Sequence, residues 1–226
     1  MQNVSKNLGW LGSSIGRKQL IAVTGLGLSL FVLVHMLGNL LIFVSPQKYN
    51  EYSHALTSNP LIYLAEAGLI AMFFGHMVLA MRMTVHNWQA RTSRYAVASN
   101  GEKATGWIQK TLWAQGLLIL VFAILHLISF KYGPYYEVTY GQQTMRDIHR
   151  VVVEVFSIPG YVVWYCVALV VLAFHLSHGI ASTMQTLGLN HPRFNCAIKM
   201  VSVLYAVIVG AGFISQPIYV YFFYRG

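Results

Sequence analysis

Charge is what this sequence has least of. Only six of its 226 residues are Asp or Glu, and charged residues of all kinds make up 9%, against about 25% in an ordinary soluble domain. With 56% hydrophobic residues as well, a soluble domain is excluded and an integral membrane protein is expected. Cysteine is nearly absent. Cys166 and Cys196 stand in neither a C-x-x-C nor a C-x-x-C-H pattern, which excludes covalent haem attachment and an iron–sulfur cluster built from this chain alone. Any metal must therefore rest mainly on histidine. A dense basic block is missing too: the formal charge of +9 is scattered between apolar segments, so no nucleic acid is expected and membrane orientation accounts for the excess. The N-terminal apolar run shows no small-residue cleavage site and is read as a retained first span.

What is present is a set of five apolar segments near 20–44, 61–86, 107–130, 159–187 and 198–224, each of about the 20 residues that a bilayer requires. They make one membrane domain over residues 1–226. Pro46 and Pro60 bracket the first connection, Asn87 to Gly106 is polar and basic, and the third connection holds Gly133-Pro134 and a charged patch from Arg146 to Glu154. Lys6, Arg17, Lys18, Arg82, Arg91, Arg94, Lys103, Lys110, Arg193 and Lys199 fall on one side of these spans, roughly double the number opposite. The N-terminus is therefore expected inside and the C-terminus outside. Ser202, Ala206 and Gly210 recur at a spacing that suits close helix packing in lipid. Trp107, Tyr161, Tyr219 and Tyr221 sit where interfacial anchors belong.

Histidine inside the spans is the feature that needs a reason, because ionisable groups at that depth are costly and mark sites. His35, His76, His126 and His175 each lie well within a span. With a rise of about 1.5 Å per residue, His35 and His126 fall in the outer half and His76 and His175 in the inner half. In an up-down-up-down bundle the first and third spans are diagonal, as are the second and fourth. Two stacked axial sites are expected. Iron porphyrin with histidine on both faces has no open position, which suits electron transfer. Gly38, Gly75 and Gly179 lie close to these histidines, where a missing side chain would admit a macrocycle. Zinc fits less well, since no cysteine or carboxylate lies at matching depth. His178 competes with His175 from three residues away. His54, His86, His149 and His191, in connections or at span ends, are expected to be solvated or interfacial.

Val34-His35-Met36, Tyr49-Asn50 followed by His54 before Pro60, Glu66 ahead of His76, His126, and Phe174-His175-x-Ser177-x-Gly179 occur in this order. In these features the chain resembles the single-chain, five-span, di-haem cytochrome b anchors of succinate dehydrogenases and quinol:fumarate reductases. The resemblance implies an all-α membrane protein whose first four spans enclose two stacked haems b. It pairs His35 with His126 at the outer haem and His76 with His175 at the inner one, and it selects His175 over His178. It also implies an iron–sulfur subunit docked at the cytoplasmic face and, beyond it, a flavoprotein that interconverts succinate and fumarate. The electron partner in the membrane is a quinone, usually menaquinone, reacting near the outer haem. The cytoplasmic membrane is the implied location.

Glu66 lies about five residues into span two, roughly 8 Å below its outer end, where it can accept a proton as quinol is oxidised. Asn39, one turn outward of His35, is a candidate hydrogen-bond donor to quinone or haem. Arg17, Lys18 and Arg82 lie at the inner level and suit the propionates of an inner haem. Three rival readings share parts of this pattern: a di-haem anchor of a hydrogenase or formate dehydrogenase, a small transporter or proton channel using the histidines and Glu66 as a relay, and a haemless packing anchor. Some fumarate reductases of the resembling family carry a compensating proton on a glutamate two residues before the span-four ligand. Here that position is Ala173, and no carboxylate occurs from Ile158 to Leu187, so turnover is expected to be electrogenic.

Overall fold

The computed structural model describes residues 13–90 and 106–224; Lys6, Arg91, Arg94, Lys103 and Arg225 lie outside the described residues. The chain is mostly helical. Helix α1 (Ser14–Asn39) runs on into a 3₁₀ turn, Leu40–Phe43, and is followed by α2 (Pro46–Thr57) and α3 (Leu61–Gln89). Then come α4 (Trp107–His126) with a π-helical turn, Leu127–Lys131, and a hairpin of β1 (Glu137–Tyr140) and β2 (Gln143–Arg146). Helices α5 (Ile148–Phe156), α6 (Pro159–Thr186) and α7 (Pro192–Phe222) complete the chain. Of these, α1, α3, α4, α6 and α7 are long and apolar enough to cross a membrane.

Two helices start earlier than the apolar pattern does, at Ser14 rather than 20 and at Pro192 rather than 198. Hydropathy marks the part of a helix that suits lipid, whereas capping marks where hydrogen bonding begins. The Ser13 hydroxyl accepts from the Gly16 amide, and the His191 side chain accepts from Arg193 N ahead of a helix that opens on Pro192. Arg17, Lys18 and Arg193 consequently ride on helical first turns.

The ring of spans follows the expected order. Helix α1 packs against α3 and α6, and α4 packs against α6 and more thinly against α3, so α1 and α4 face each other across one diagonal and α3 and α6 across the other. None of the residues of α3 is buried by protein, as befits an apolar helix whose solvent is lipid. Helix α7 stands outside the ring, against α6 and α1. Ser202, Ala206 and Gly210 are its buried stripe. A Cβ at Gly210 would come 3.1 Å from that of Ala173, so the missing side chain at 210 is what lets α7 approach α6 closely at this point. Tyr205 adds a tie by donating to the Ser29 carbonyl at 2.6 Å.

The two connections at the other end of α1 and α4 are folded, contrary to their reading as loops. Helix α2 opens on Ser45, whose hydroxyl accepts from Lys48 N, followed by Pro46. The hairpin turns on Gly141 at φ +62°, between Tyr140 and its partner Gln143, the left-handed geometry that tight hairpins need. Together α2, the hairpin and α5 form a cap: α2 packs on α5 and β2, and α5 reaches the π turn, α6 and α7. At its centre Asn50 is fully buried. Its amide nitrogen donates to Asp147 Oδ1 at 2.8 Å and to Tyr140 Oη at 3.4 Å, and its oxygen accepts from His149 N at 2.9 Å.

His149 corrects the sequence reading, which left it solvated. It is 4% exposed, because Asn50 draws the first turn of α5 inward and the imidazole packs between the rings of Tyr49 and Tyr224. Burial lowers its pKa, opposed by the nearby Asp147 carboxylate. Replacing Asn50 by Ala leaves the His149 amide and the Asp147 carboxylate short of a partner, at a cost of about 2–3 kcal/mol. The expected result is a lower thermal midpoint in detergent and faster proteolysis within residues 135–156; an unchanged midpoint would remove Asn50 as the keystone of the cap.

Candidate functional site

Four imidazoles meet inside the ring of spans, two at each of two levels. The rings of His35 on α1 and His126 on α4 are 5.8 Å apart at an interplanar angle of 89°. The rings of His76 on α3 and His175 on α6 are 6.5 Å apart at 75°. These are the pairings that depth arithmetic and the diagonals give. Among the described residues no group of three or more His, Cys, Asp or Glu side chains gathers to hold a metal. Two histidines, one from each side, are therefore what each level offers.

Nδ1 is the anchored nitrogen. His76 Nδ1 lies 3.1 Å from the Ile21 carbonyl and 3.2 Å from Thr24 Oγ1. A carbonyl can only accept, so that nitrogen carries the proton and Nε2 keeps its lone pair. Thr24 itself donates to Leu20 O at 2.7 Å, which leaves its oxygen lone pairs toward the ring. His126 Nδ1 is 3.3 Å from the Tyr165 hydroxyl; His35 Nδ1 is 3.4 Å from the Asn39 amide nitrogen, which can only donate, so this contact does not hold a proton on Nδ1. The Nδ1 of His175 is buried without a partner. No hydrogen bond reaches Nε2 in any of the four among the described residues.

The site can be tested for fit to an axially ligated macrocycle. Two imidazoles bound to one central ion at about 2.0 Å each bring their ring centres roughly 6 Å apart, and both pairs are near that value. At Gly75 and Gly179 a Cβ would meet nothing within 4 Å, which leaves open space beside His76 and near His175. Gly38 behaves differently from its sequence reading. A Cβ there would lie 2.7 Å from Tyr52 Oη, so this glycine admits a tyrosine of the cap. Gly25, which the sequence reading passed over, is the glycine that faces an imidazole: a Cβ would be 3.1 Å from His76 Cε1. The residues present fit the group.

The two levels differ in their walls. Around His35 and His126 stand Phe31 and Phe213 with Phe122 and Phe130, an aromatic sleeve. At the opposite end of the bundle Arg17 and Arg82 line a cavity of about 520 Å³ whose other walls include Met77, Met81 and Val85. His86 also faces it. Lys18 does not join them; it lines a separate cavity of about 290 Å³ with Gln19, Ser182 and Gln185. His178 makes no ring contact with His76, among the described residues, of the kind that His175 makes.

Glu66 has a partner from another span. Its carboxylate forms an ion pair with Lys131 Nζ at the end of the π turn, with the side chains 35% and 40% exposed respectively. Asn39 is also committed: Nδ2 donates to the His35 carbonyl at 2.8 Å, and Oδ1 accepts from Tyr49 Oη at 2.6 Å. Tyr49 thus joins the cap to the His35 level. Tyr165, Thr24, Gly25 and Lys131 are the site residues that sequence reasoning missed. A hydroxyl, a glycine or a terminal lysine in a span has many uses, and only proximity to an imidazole or a carboxylate picks these out. Compared with known proteins, the chain matches no family profile, no curated protein and no solved structure.

Proposed function

We propose that this chain is the di-haem cytochrome b anchor of a succinate:quinone oxidoreductase, carrying electrons between membrane menaquinone or menaquinol and an iron–sulfur subunit. The carrying observation is the facing of His35 on His126 and of His76 on His175 across the two diagonals, with their Nε2 atoms free of hydrogen bonds among the described residues. Haem b bound between two histidines supplies a one-electron carrier with no open coordination position. The chain's residues hold and orient it. The Ile21 carbonyl and Thr24 fix the tautomer of His76, Tyr165 orients His126, and four phenylalanines keep water from the His35 level. Arg17 and Arg82, facing one apolar cavity, suit the carboxylates of an inner haem better than Lys18 does.

The end opposite the cap carries Arg17, Lys18, Arg82, Lys110, Arg193 and Lys199. In this reading that end is cytoplasmic and receives the iron–sulfur subunit, to which the flavoprotein is attached. The dicarboxylate chemistry belongs to the flavoprotein. The cap faces outward, and Glu66 at its level takes a proton from the quinol.

Alanine at His35 or His126 should remove the same haem, and alanine at His76 or His175 the other, read as loss of about half of the reducible b-type absorbance in the purified chain. His178→Ala should keep both. A redox difference spectrum without b-type bands in the unaltered protein would sink the proposal and favour the transporter reading. Purification with a hydrogenase or formate dehydrogenase subunit would favour those anchors instead.

Glu66→Gln should leave both haem bands in place and slow quinol oxidation by about a hundredfold or more, the usual worth of a positioned base. Electron flow from artificial donors at the soluble subunits should persist. Full quinol turnover in that variant would take Glu66 out of the chemistry.

A further inference from the structure

Lys131 is the basic residue of the last turn of its span, a place that the helix dipole favours. It closes the π turn Leu127–Lys131, directly after His126, and that turn is marked by the Tyr132 amide donating to Leu127 O at 2.9 Å. A π turn takes in an extra residue, so everything after it is rotated from where an α-helix would have put it, and such turns gather at functional sites. The rotation is held from outside. Arg146 at the end of β2 donates to Phe130 O at 2.9 Å, Pro134 O at 2.9 Å and Lys131 O at 3.2 Å, capping carbonyls that the helix end leaves open. Phe130, one residue before Lys131, packs on the His126 ring at 5.2 Å. The ammonium therefore lies just beyond the His35/His126 level, on a braced backbone.

The ammonium points to Glu66, across the seam between α4 and α3 where those helices pack thinly. Both side chains remain more than a third exposed, so protein does not seal the pair off. An exposed ion pair adds little to stability. This one is an open donor and acceptor set side by side.

We propose that Lys131 is the second polar residue of the quinone site: its Nζ donates to the ring oxygen from which Glu66 takes the proton. This rests on the reading that the chain oxidises quinol at the His35/His126 level. Oxidation of one quinol releases two electrons and two protons. The electrons would leave singly to a haem held by His35 and His126, which would supply the one-electron acceptor. One proton passes from the ring hydroxyl at this seam to a Glu66 oxygen, and the other leaves from the opposite ring hydroxyl to the outer aqueous phase. Lys131 stays protonated throughout; it fixes the oxygen and stabilises the negative charge that develops as the hydroxyl proton departs. Quinone and quinol both present an oxygen to accept from it.

The test uses the purified full-length chain with its haems, and dimethylnaphthoquinone and its quinol as probes. Binding of the quinone is read by equilibrium titration, and reduction of the b-type bands by the quinol is read in a stopped-flow spectrometer. Lys131→Met should keep both bands and weaken quinone binding by about ten- to hundredfold, the worth of one charge-assisted hydrogen bond. Lys131→Arg should recover most of the binding. The exchanged pair Glu66→Lys with Lys131→Glu restores the attraction and guards against a folding failure in the single variant; it should be as stable as the unaltered chain yet reduce its haems slowly. Unchanged binding and reduction in Lys131→Met, or full activity in the exchanged pair, would overturn the proposal and leave a structural ion pair. Absence of b-type bands or of quinol reduction in the unaltered chain would instead defeat the functional reading beneath it.

Discussion

Four imidazoles enclosed by apolar helices are the constraint on which the rest of the architecture turns. An imidazole has two nitrogens to satisfy, and within lipid-solvated helices no water stands ready for them. In two of the four, Nδ1 is met by a group that can accept its proton: the Ile21 carbonyl with Thr24 at His76, and the Tyr165 hydroxyl at His126. The rings of each pair face one another across a diagonal. Helix order, glycine placement and the thin contact between α3 and α4 all serve this arrangement, because a ring of spans packed tightly to its axis would have no place for the rings to face one another.

The cap is the second element that the site depends on. Its buried Asn50 joins α2 to the start of α5, while Arg146 grips the end of α4. From there two connections run into the bundle. Tyr49 reaches Asn39 beside His35, and Tyr52 lies against Gly38. The opposite end has no such lid among the described residues; it presents cavities edged by Arg17, Arg82 and Lys18. One end is thus braced and aromatic, the other basic and open; the proposed function puts quinone at the first and the docked subunit at the second.

Much of this was legible in the residues. Span number follows from apolar length, because the hydrocarbon core imposes one length on every crossing helix. The pairing of His35 with His126 and of His76 with His175 follows from residue counting, because a helix rises by a constant step and alternating spans reverse it. The α7 stripe of Ser202, Ala206 and Gly210 was readable for a similar reason: small residues one turn apart allow a close approach wherever they occur.

What tertiary structure alone decided is whatever depends on which surfaces meet. His149 looked like a loop residue, since the hydrogen bond that buries it comes from Asn50, far away in the chain. Gly38 lies three residues from His35 and Gly25 ten, yet the nearer one makes room for a tyrosine and the farther one for His76. Lys131 counts as a terminal charge until the π turn carries it to Glu66. Periodicity and depth belong to a single helix and are written in local sequence; partners belong to two helices at once, and no stretch of one of them contains the other.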